Sequence, residues 1–181
     1  MFDVTPVTSP KEYDCGATCL KMLLDYYGKS VDLETVISEC NIGLMGCTVG
    51  DLRRVGNAHG LDIHIFDDRS NPALVDNTLR YDRPAIVWWK YSHFCVYCGL
   101  DEKGDAVICN PDRGRFSISV GSFKSMYSGV NLTNGWPGEL QEEDPDEVTL
   151  TKSEYEEIME IISKNEEAFV NEQSEAQAAD T

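Results

Sequence analysis

Two observations predict an α+β fold for this chain of 181 residues. Up to about residue 60, apolar residues recur at helical spacing. From residue 62 the period shortens to that of strands parted by tight turns. The expected architecture is a set of N-terminal helices packed on an antiparallel sheet.

The first helix lies in D-C-G-A-T-C-L-K-M-L-L-D-Y-Y-G, residues 14–28. Asp14 can cap it, and Gly28 can end it in a left-handed conformation. Between them Leu20, Leu23, Leu24 and Tyr27 fall at i, i+3, i+4 and i+7, one core stripe. A second helix is expected over 33–40. A third covers 49–59, from a cap at Thr48 with Asp51 three residues on, to a stop at Gly60. Its stripe is Val49, Leu52 and Val55, extended by Ala58.

Residues 62–66, D-I-H-I-F, then read as a strand, and 71–79 as a short helix. Pro84 opens the apolar run A-I-V-W-W-K. A turn at Tyr91 and Ser92 leads into H-F-C-V-Y-C-G-L, residues 93–100. D-E-K-G-D makes a hairpin loop to a strand over 106–109. N-P-D-R-G turns the chain into a strand over 115–120, and 122–127 reads as a last short helix. No element is assigned to 128–136.

After Gly138 the composition changes. Q-E-E-D-P-D-E is a polar linker, and Thr151 with Glu154 can start an amphipathic helix carrying Tyr155, Ile158, Ile162 and Phe169 on one face. The last residues, N-E-Q-S-E-A-Q-A-A-D-T, are expected to be disordered. The reading therefore divides the chain into a body, 1–136, and an acidic tail, 137–181, whose helix docks on the body or a partner, or stays solvated.

The net charge of −17 is concentrated in that tail, where 15 acidic residues face 2 basic ones; the body carries only −4. This balance disfavours nucleic acid and anionic membrane as partners. No apolar run approaches the roughly 20 residues of a membrane span, so no membrane insertion is expected. The start, M-F-D-V-T-P, lacks the basic and apolar regions of a signal peptide, which makes the cytoplasm the default location.

Seven cysteines in such a chain argue against a disulfide framework. Cys95 and Cys98 form C-x-x-C, a spacing used for zinc or redox chemistry. In an alternating strand, however, they point to opposite faces, and no second C-x-x-C or H-x-x-x-H exists. No metal or other cofactor is expected, and most of these cysteines read as reduced, buried thiols.

Cys15 is different, because it stands where the chain enters a helix. There the positive end of the helix dipole and free backbone N–H groups favour thiolate over thiol. The same N–H groups can stabilise an oxyanion, and Gly16 leaves the sulfur approachable. Cys19, one turn further in, reads as packing. A thiolate nucleophile needs a base, and only His59, His64 and His93 are available. His59 ends a helix and His64 sits mid-strand, whereas His93 opens a strand and is held by the apolar run behind it. Asn110 ends the following strand, so a hairpin makes it a cross-strand neighbour of His93, able to orient the imidazole.

These segments resemble the papain-like peptidases that process bacteriocin and peptide-pheromone precursors after a double-glycine leader. D-C-G-A-T-C-L-K-M-L-L-D-Y-Y-G resembles their nucleophile helix, M-G-C-T-V-G-D-L-R-R-V-G-N-A-H-G-L their middle helix, H-F-C-V-Y-C-G-L their histidine strand and V-I-C-N-P-D-R-G their Asp-Pro segment. The likeness runs from about Val4 to Tyr127. It implies a papain-like fold, with Cys15 as nucleophile, His93 as general base and acid, and Asn110 as the orienting residue. Asn110 stands where the family usually has Asp. Ser9 stands six positions before the cysteine, where the family usually places an oxyanion-stabilising Gln.

The expected function is a cysteine peptidase, a stand-alone domain acting on a peptide or precursor protein through a thioester. One alternative is a degenerate, non-catalytic member that binds peptides in the same cleft. Another is an acidic interaction protein that recruits a partner through its C-terminal helix.

Overall fold

The computed structural model describes residues 1–135, apart from 44, 45, 68, 70, 72, 91 and 92. The chain divides into a unit Met1–Leu140 and a second Gln141–Thr181, and every described residue lies in the first. The turn expected at Tyr91 and Ser92, the 136/137 boundary and the acidic tail with its helix lie outside the described residues.

A 3-10 turn, Glu12–Asp14, runs directly into α1, Cys15–Tyr26. Asp14 does stand at the N-cap, but its side chain makes no capping bond. Its ψ is near 0°, whereas Thr48 before the third helix has ψ 163°. A capping side chain needs that extended backbone to reach the free N–H groups. Thr48 has it, and forms a full capping box with Asp51. Helix α2 is Leu33–Glu39 and α3 is Val49–Ala58. Gly28 adopts φ +70°, the left-handed stop its position predicts.

Strand β1 is Ile63–Asp67, α4 Ala73–Leu79, β2 Ala85–Trp89, β3 His93–Leu100, β4 Ala106–Asn110, β5 Gly114–Ile118, α5 Val120–Met126 and β6 Tyr127–Asn134. The sheet has six strands in the order β1-β6-β2-β3-β4-β5, all pairings antiparallel. The expected meander holds for β2 to β5. The last strand departs from it, inserting between β1 and β2.

β6 escapes sequence reading because its outline is polar. Val130 and Leu132 point to one core, but the alternate positions hold Asn131 and Thr133, fully buried. Asn is depleted in strands, and burying its amide costs unless partners satisfy it. Here they do. The Asn131 amide nitrogen donates to Tyr127 Oη at 2.7 Å and to Thr78 Oγ1 at 3.1 Å, and Tyr81 Oη donates to Asn131 Oδ1 at 3.3 Å.

The sheet is covered on both faces. Leu20, Leu23 and Leu24 of α1, with Leu52 and Val55 of α3, pack against Ile86, Val96, Cys98, Val107 and Leu132. On the opposite face Leu74 and Phe123 from α4 and α5 meet Val87, Cys95, Tyr97 and Ile108. Cys95 and Cys98 thus belong to different cores, as strand alternation requires.

The N-terminal segment is strapped across the α1 side of the sheet. Phe2 N–H donates to Cys98 C=O at 2.7 Å, and Arg115 donates to the carbonyls of Val4 and Phe2, both at 2.9 Å. Further along, Ser9 N–H donates to Pro111 C=O at 2.8 Å. That last bond joins the approach to α1 with the turn after β4.

Candidate active site

Three elements converge on Cys15: the start of α1, the start of β3 and the turn after β4. Cys15 is 7% exposed, and the backbone N–H of Phe94, the residue after His93, is directed at its sulfur. Burial pushes the Cys15 thiol up. The Phe94 N–H and the Gly16 N–H pull the other way, without cancelling it. Of these two donors only Gly16 belongs to the helix entry, and it gives the smaller offset. In this pocket desolvation of the anion wins, so a thiolate requires a cationic partner.

His93 Nε2 lies 3.4 Å from Asn110 Oδ1, a long contact for a hydrogen bond. The β3/β4 register pairs Val96 with Cys109, which sets Asn110 beside Cys95 and makes His93 its diagonal neighbour. Asn110 is buried, and its Oδ1 also accepts the Asp112 N–H at 2.8 Å. With Nε2 facing Asn110, the other ring nitrogen, Nδ1, is left for the thiol. No Cys15–imidazole hydrogen bond forms among the described residues in this conformation. Such bonds are often loose without substrate.

The remaining histidines are engaged elsewhere. His59 Nε2 is 2.6 Å from Glu39 Oε2, and His64 Nε2 is 3.0 Å from Asp62 Oδ2. The Ser9 hydroxyl donates to Lys11 C=O at 2.9 Å and accepts from Thr18 Oγ1 at 3.5 Å. Its single proton is thus committed to the backbone, not free for an oxyanion.

Gly16 has a different role from the one its position suggests. A Cβ there would lie 2.6 Å from Cys47 Sγ and 3.1 Å from Phe94 Cδ2. The glycine is required by close packing of α1 on the segment before α3 and on β3, not by access to the sulfur. Cys47 is the residue that sequence reasoning missed. Its thiol, pulled down chiefly by the hydrogen bond from Cys40, sits against Gly16 of α1. No signal in the sequence links it to α1, which lies some thirty residues earlier.

Over residues 3–135 the sequence matches the description "Peptidase C39 family". The chain belongs to that family. Its match reaches past Tyr127 to take in β6, the strand the sequence reading left out. The chain is 27% identical over 131 residues to the lacticin-481/lactococcin-DR transport/processing ATP-binding protein of Lactococcus lactis subsp. lactis. It is 28% identical over 131 residues to the colicin V secretion/processing ATP-binding protein of Escherichia coli. These alignments cover 70% and 72% of this chain but 18% of each relative, so the chain matches under a fifth of their length.

Among solved structures, a double-glycine-motif protease from an AMS/PCAT transporter, crystallised with its leader peptide, superposes with a TM-score of 0.64 at 27% identity. The superposition covers 71% of this chain and 89% of that one. The peptidase domain of Streptococcus ComA superposes at 0.61 with 20% identity, covering 72% and 96%. The C39 domain therefore has the papain-like fold its motifs predict. No described helix is long and apolar enough to cross a membrane.

Proposed function

We propose that this C39 domain is a cysteine peptidase that cuts a peptide or precursor protein through a Cys15–His93–Asn110 triad. The observation that carries this reading is the convergence at the head of β3, where Phe94 N–H meets the Cys15 sulfur while His93 Nε2 faces Asn110. Nδ1 takes the thiol proton, giving a thiolate–imidazolium pair that offsets the desolvation of the anion. The sulfur attacks the scissile carbonyl, and the free N–H groups of the first turn of α1 stabilise the oxyanion. His93 returns its proton to the leaving amine. Water, deprotonated by His93, then hydrolyses the thioester and releases Cys15. By analogy with the protease solved with a leader peptide, the substrate class is a precursor with a double-glycine leader.

One observation favours a second reading, a non-catalytic domain that binds peptides in the same cleft. The Ser9 hydroxyl, at the position of the family's oxyanion Gln, is turned toward Lys11. Losing one oxyanion donor costs on the order of a hundredfold or more in rate.

Low-dose labelling with an epoxysuccinyl inhibitor near pH 6, mapped by mass spectrometry, separates the two. Selective modification of Cys15 that disappears in His93→Ala, together with cleavage of a double-glycine leader peptide, is the expected result. Slow labelling spread over the seven cysteines, with no cleavage, would instead leave the binding reading.

A further inference from the structure

We propose that Cys98 and Cys109 form a modification site apart from Cys15: a dithiol that hydrogen peroxide converts to a disulfide when the N-terminal strap lifts. This inference is independent of the peptidase reading.

C-x-x-C spacing couples Cys95 with Cys98, but those two belong to different cores. The fold gives Cys98 another partner, on the next strand: its Sγ lies 3.5 Å from Cys109 Sγ. Val96 pairs with Cys109, so Cys98 is the diagonal neighbour of Cys109 on the α1 side of the sheet. A disulfide needs about 2 Å between sulfurs, so they have about 1.5 Å to close. Diagonal positions in a regular ladder stand near the upper limit for such a bridge. This ladder is not regular. Tyr97 pairs with Ile108 and Leu100 with Ala106, which leaves Cys98 and Gly99, at φ +88°, against Val107 alone. The extra residue lets the strand bend where the sulfurs must approach.

The two thiols are not equivalent. Cys98 donates to Cys109, which pushes the Cys98 thiol up and pulls the Cys109 thiol down. Arg115 adds to the second effect, with Nη1 3.7 Å from Cys109 Sγ and 2.9 Å from Val4 C=O. Cys109 is therefore the attacking sulfur and Cys98 the resolving one. Both residues are fully buried, and the strap covers them. Phe2 N–H donates to Cys98 C=O, Val4 C=O accepts from the Cys109 thiol at 3.4 Å, and a Cβ on Gly99 would lie 3.0 Å from Met1 Cα. A strap outside the sheet ladder opens at less cost than the strands it covers. Opening admits the oxidant. It also takes the Val4 carbonyl away from the Cys109 proton and from Arg115 Nη1, leaving the guanidinium to the thiolate.

The Cys109 thiolate attacks one peroxide oxygen. An S–O bond forms, the O–O bond breaks, and the hydroxide that leaves takes up a proton as water. The Cys98 sulfur then attacks the sulfenic sulfur of Cys109. The S–S bond forms, the S–O bond breaks, and the second hydroxide leaves with the Cys98 proton as water. Two thiols and one hydrogen peroxide yield one disulfide and two waters; the sulfurs lose the two electrons that the peroxide gains.

The test treats the reduced full chain with hydrogen peroxide under native conditions. Remaining thiols are then blocked with N-ethylmaleimide in denaturant, and disulfides are mapped by mass spectrometry of a non-reduced digest. The expected result is a Cys98–Cys109 link that forms ahead of any other disulfide and is reversed by dithiothreitol. Phe2→Ala removes the edge-on contact of the strap with Tyr26 and leaves both sulfurs in place, so the link should form about two- to tenfold faster. In Cys98→Ser, dimedone should trap a sulfenic acid on Cys109. Circular dichroism checks that each variant is folded. A different pairing that forms first, or the absence of a Cys98–Cys109 link, overturns the site. A link that forms no faster in Phe2→Ala than in wild type overturns the gating by the strap, and with it the proposal as stated. The peptidase reading stands or falls separately, on Cys15 labelling and peptide cleavage under reducing conditions.

Discussion

Cys15 and Cys109 share one core of the fold but sit in contrasting settings. Cys15 opens α1 at the head of β3, slightly exposed, with its thiol pushed up by burial. Cys109 lies on β4 with no exposure. Its thiol is pulled down to about 7, first by the hydrogen bond from Cys98 and, against the effect of burial, by Arg115. Judged by acidity alone, Cys109 is the better nucleophile. Yet it is sealed between β3 and the N-terminal strap, its sulfur 3.5 Å from Cys98 Sγ and 3.7 Å from an Arg115 nitrogen. An acidic thiol is useful only where a substrate can reach it and a base can recycle its proton. Cys15 has the exposure and a histidine one residue from its backbone donor. Cys109 has neither.

The sharpest way to break this comparison is to remove each sulfur in turn. Cys15→Ala should abolish selective labelling and peptide cleavage, with the melting temperature nearly unchanged. Cys109→Ala should keep both activities but lose about 1–2 kcal/mol of stability by denaturant unfolding, because its partners lose a packed, hydrogen-bonded neighbour. Preserved cleavage in Cys15→Ala would refute its assignment as nucleophile.

Gly16→Ala probes the packing that holds Cys15 in place. The added methyl meets Cys47 Sγ, so about 1–3 kcal/mol should be lost in chemical denaturation. The double change Gly16→Ala with Cys47→Ala should recover part of that loss. No recovery would mean that Phe94, the other close neighbour, is the harder wall.

Alkaline titration sharpens the contrast in sign. Burial holds the Cys19 and Cys95 thiols protonated in the folded state well beyond their ordinary range. Above about pH 8.5 the unfolded chain loses those protons while the native state keeps them. Stability should therefore fall with rising pH, by up to about 1.4 kcal/mol per unit for each such thiol. Cys109 runs the other way, contributing stability as pH rises from about 7 toward the ordinary thiol value. Guanidinium unfolding under reducing conditions at pH 7, 8.5 and 9.5 measures the balance, and Cys19→Ala should flatten the alkaline decline.

The smallest effect is at the strap. Arg115→Ala removes two hydrogen bonds to the carbonyls of Phe2 and Val4. About 1 kcal/mol should be lost. Faster amide exchange should be confined to the first residues and their partner Cys98, leaving Cys15 labelling as it was.

The sequence by itself determined the helices, β1 to β5 and the three residues proposed as a triad. Those signals are local: a stripe at Leu20, Leu23 and Leu24, a capping box at Thr48 and Asp51, and a histidine and an asparagine at adjoining ends of a hairpin. Tertiary structure alone decided the rest. β6 can be a strand because Thr78 and Tyr81, remote from Asn131 in sequence, join Tyr127 of the same strand in satisfying its buried amide. Gly16 is a glycine because Cys47, some thirty residues away, fills the space a side chain would need. The Cys15 thiol is raised because burial, which depends on everything packed around it, outweighs the N–H groups of Phe94 and Gly16. A periodic pattern reports what a residue does within its own element. Burial, close approach and charge at a distance are properties of the assembled chain, and they appear only once the elements have met.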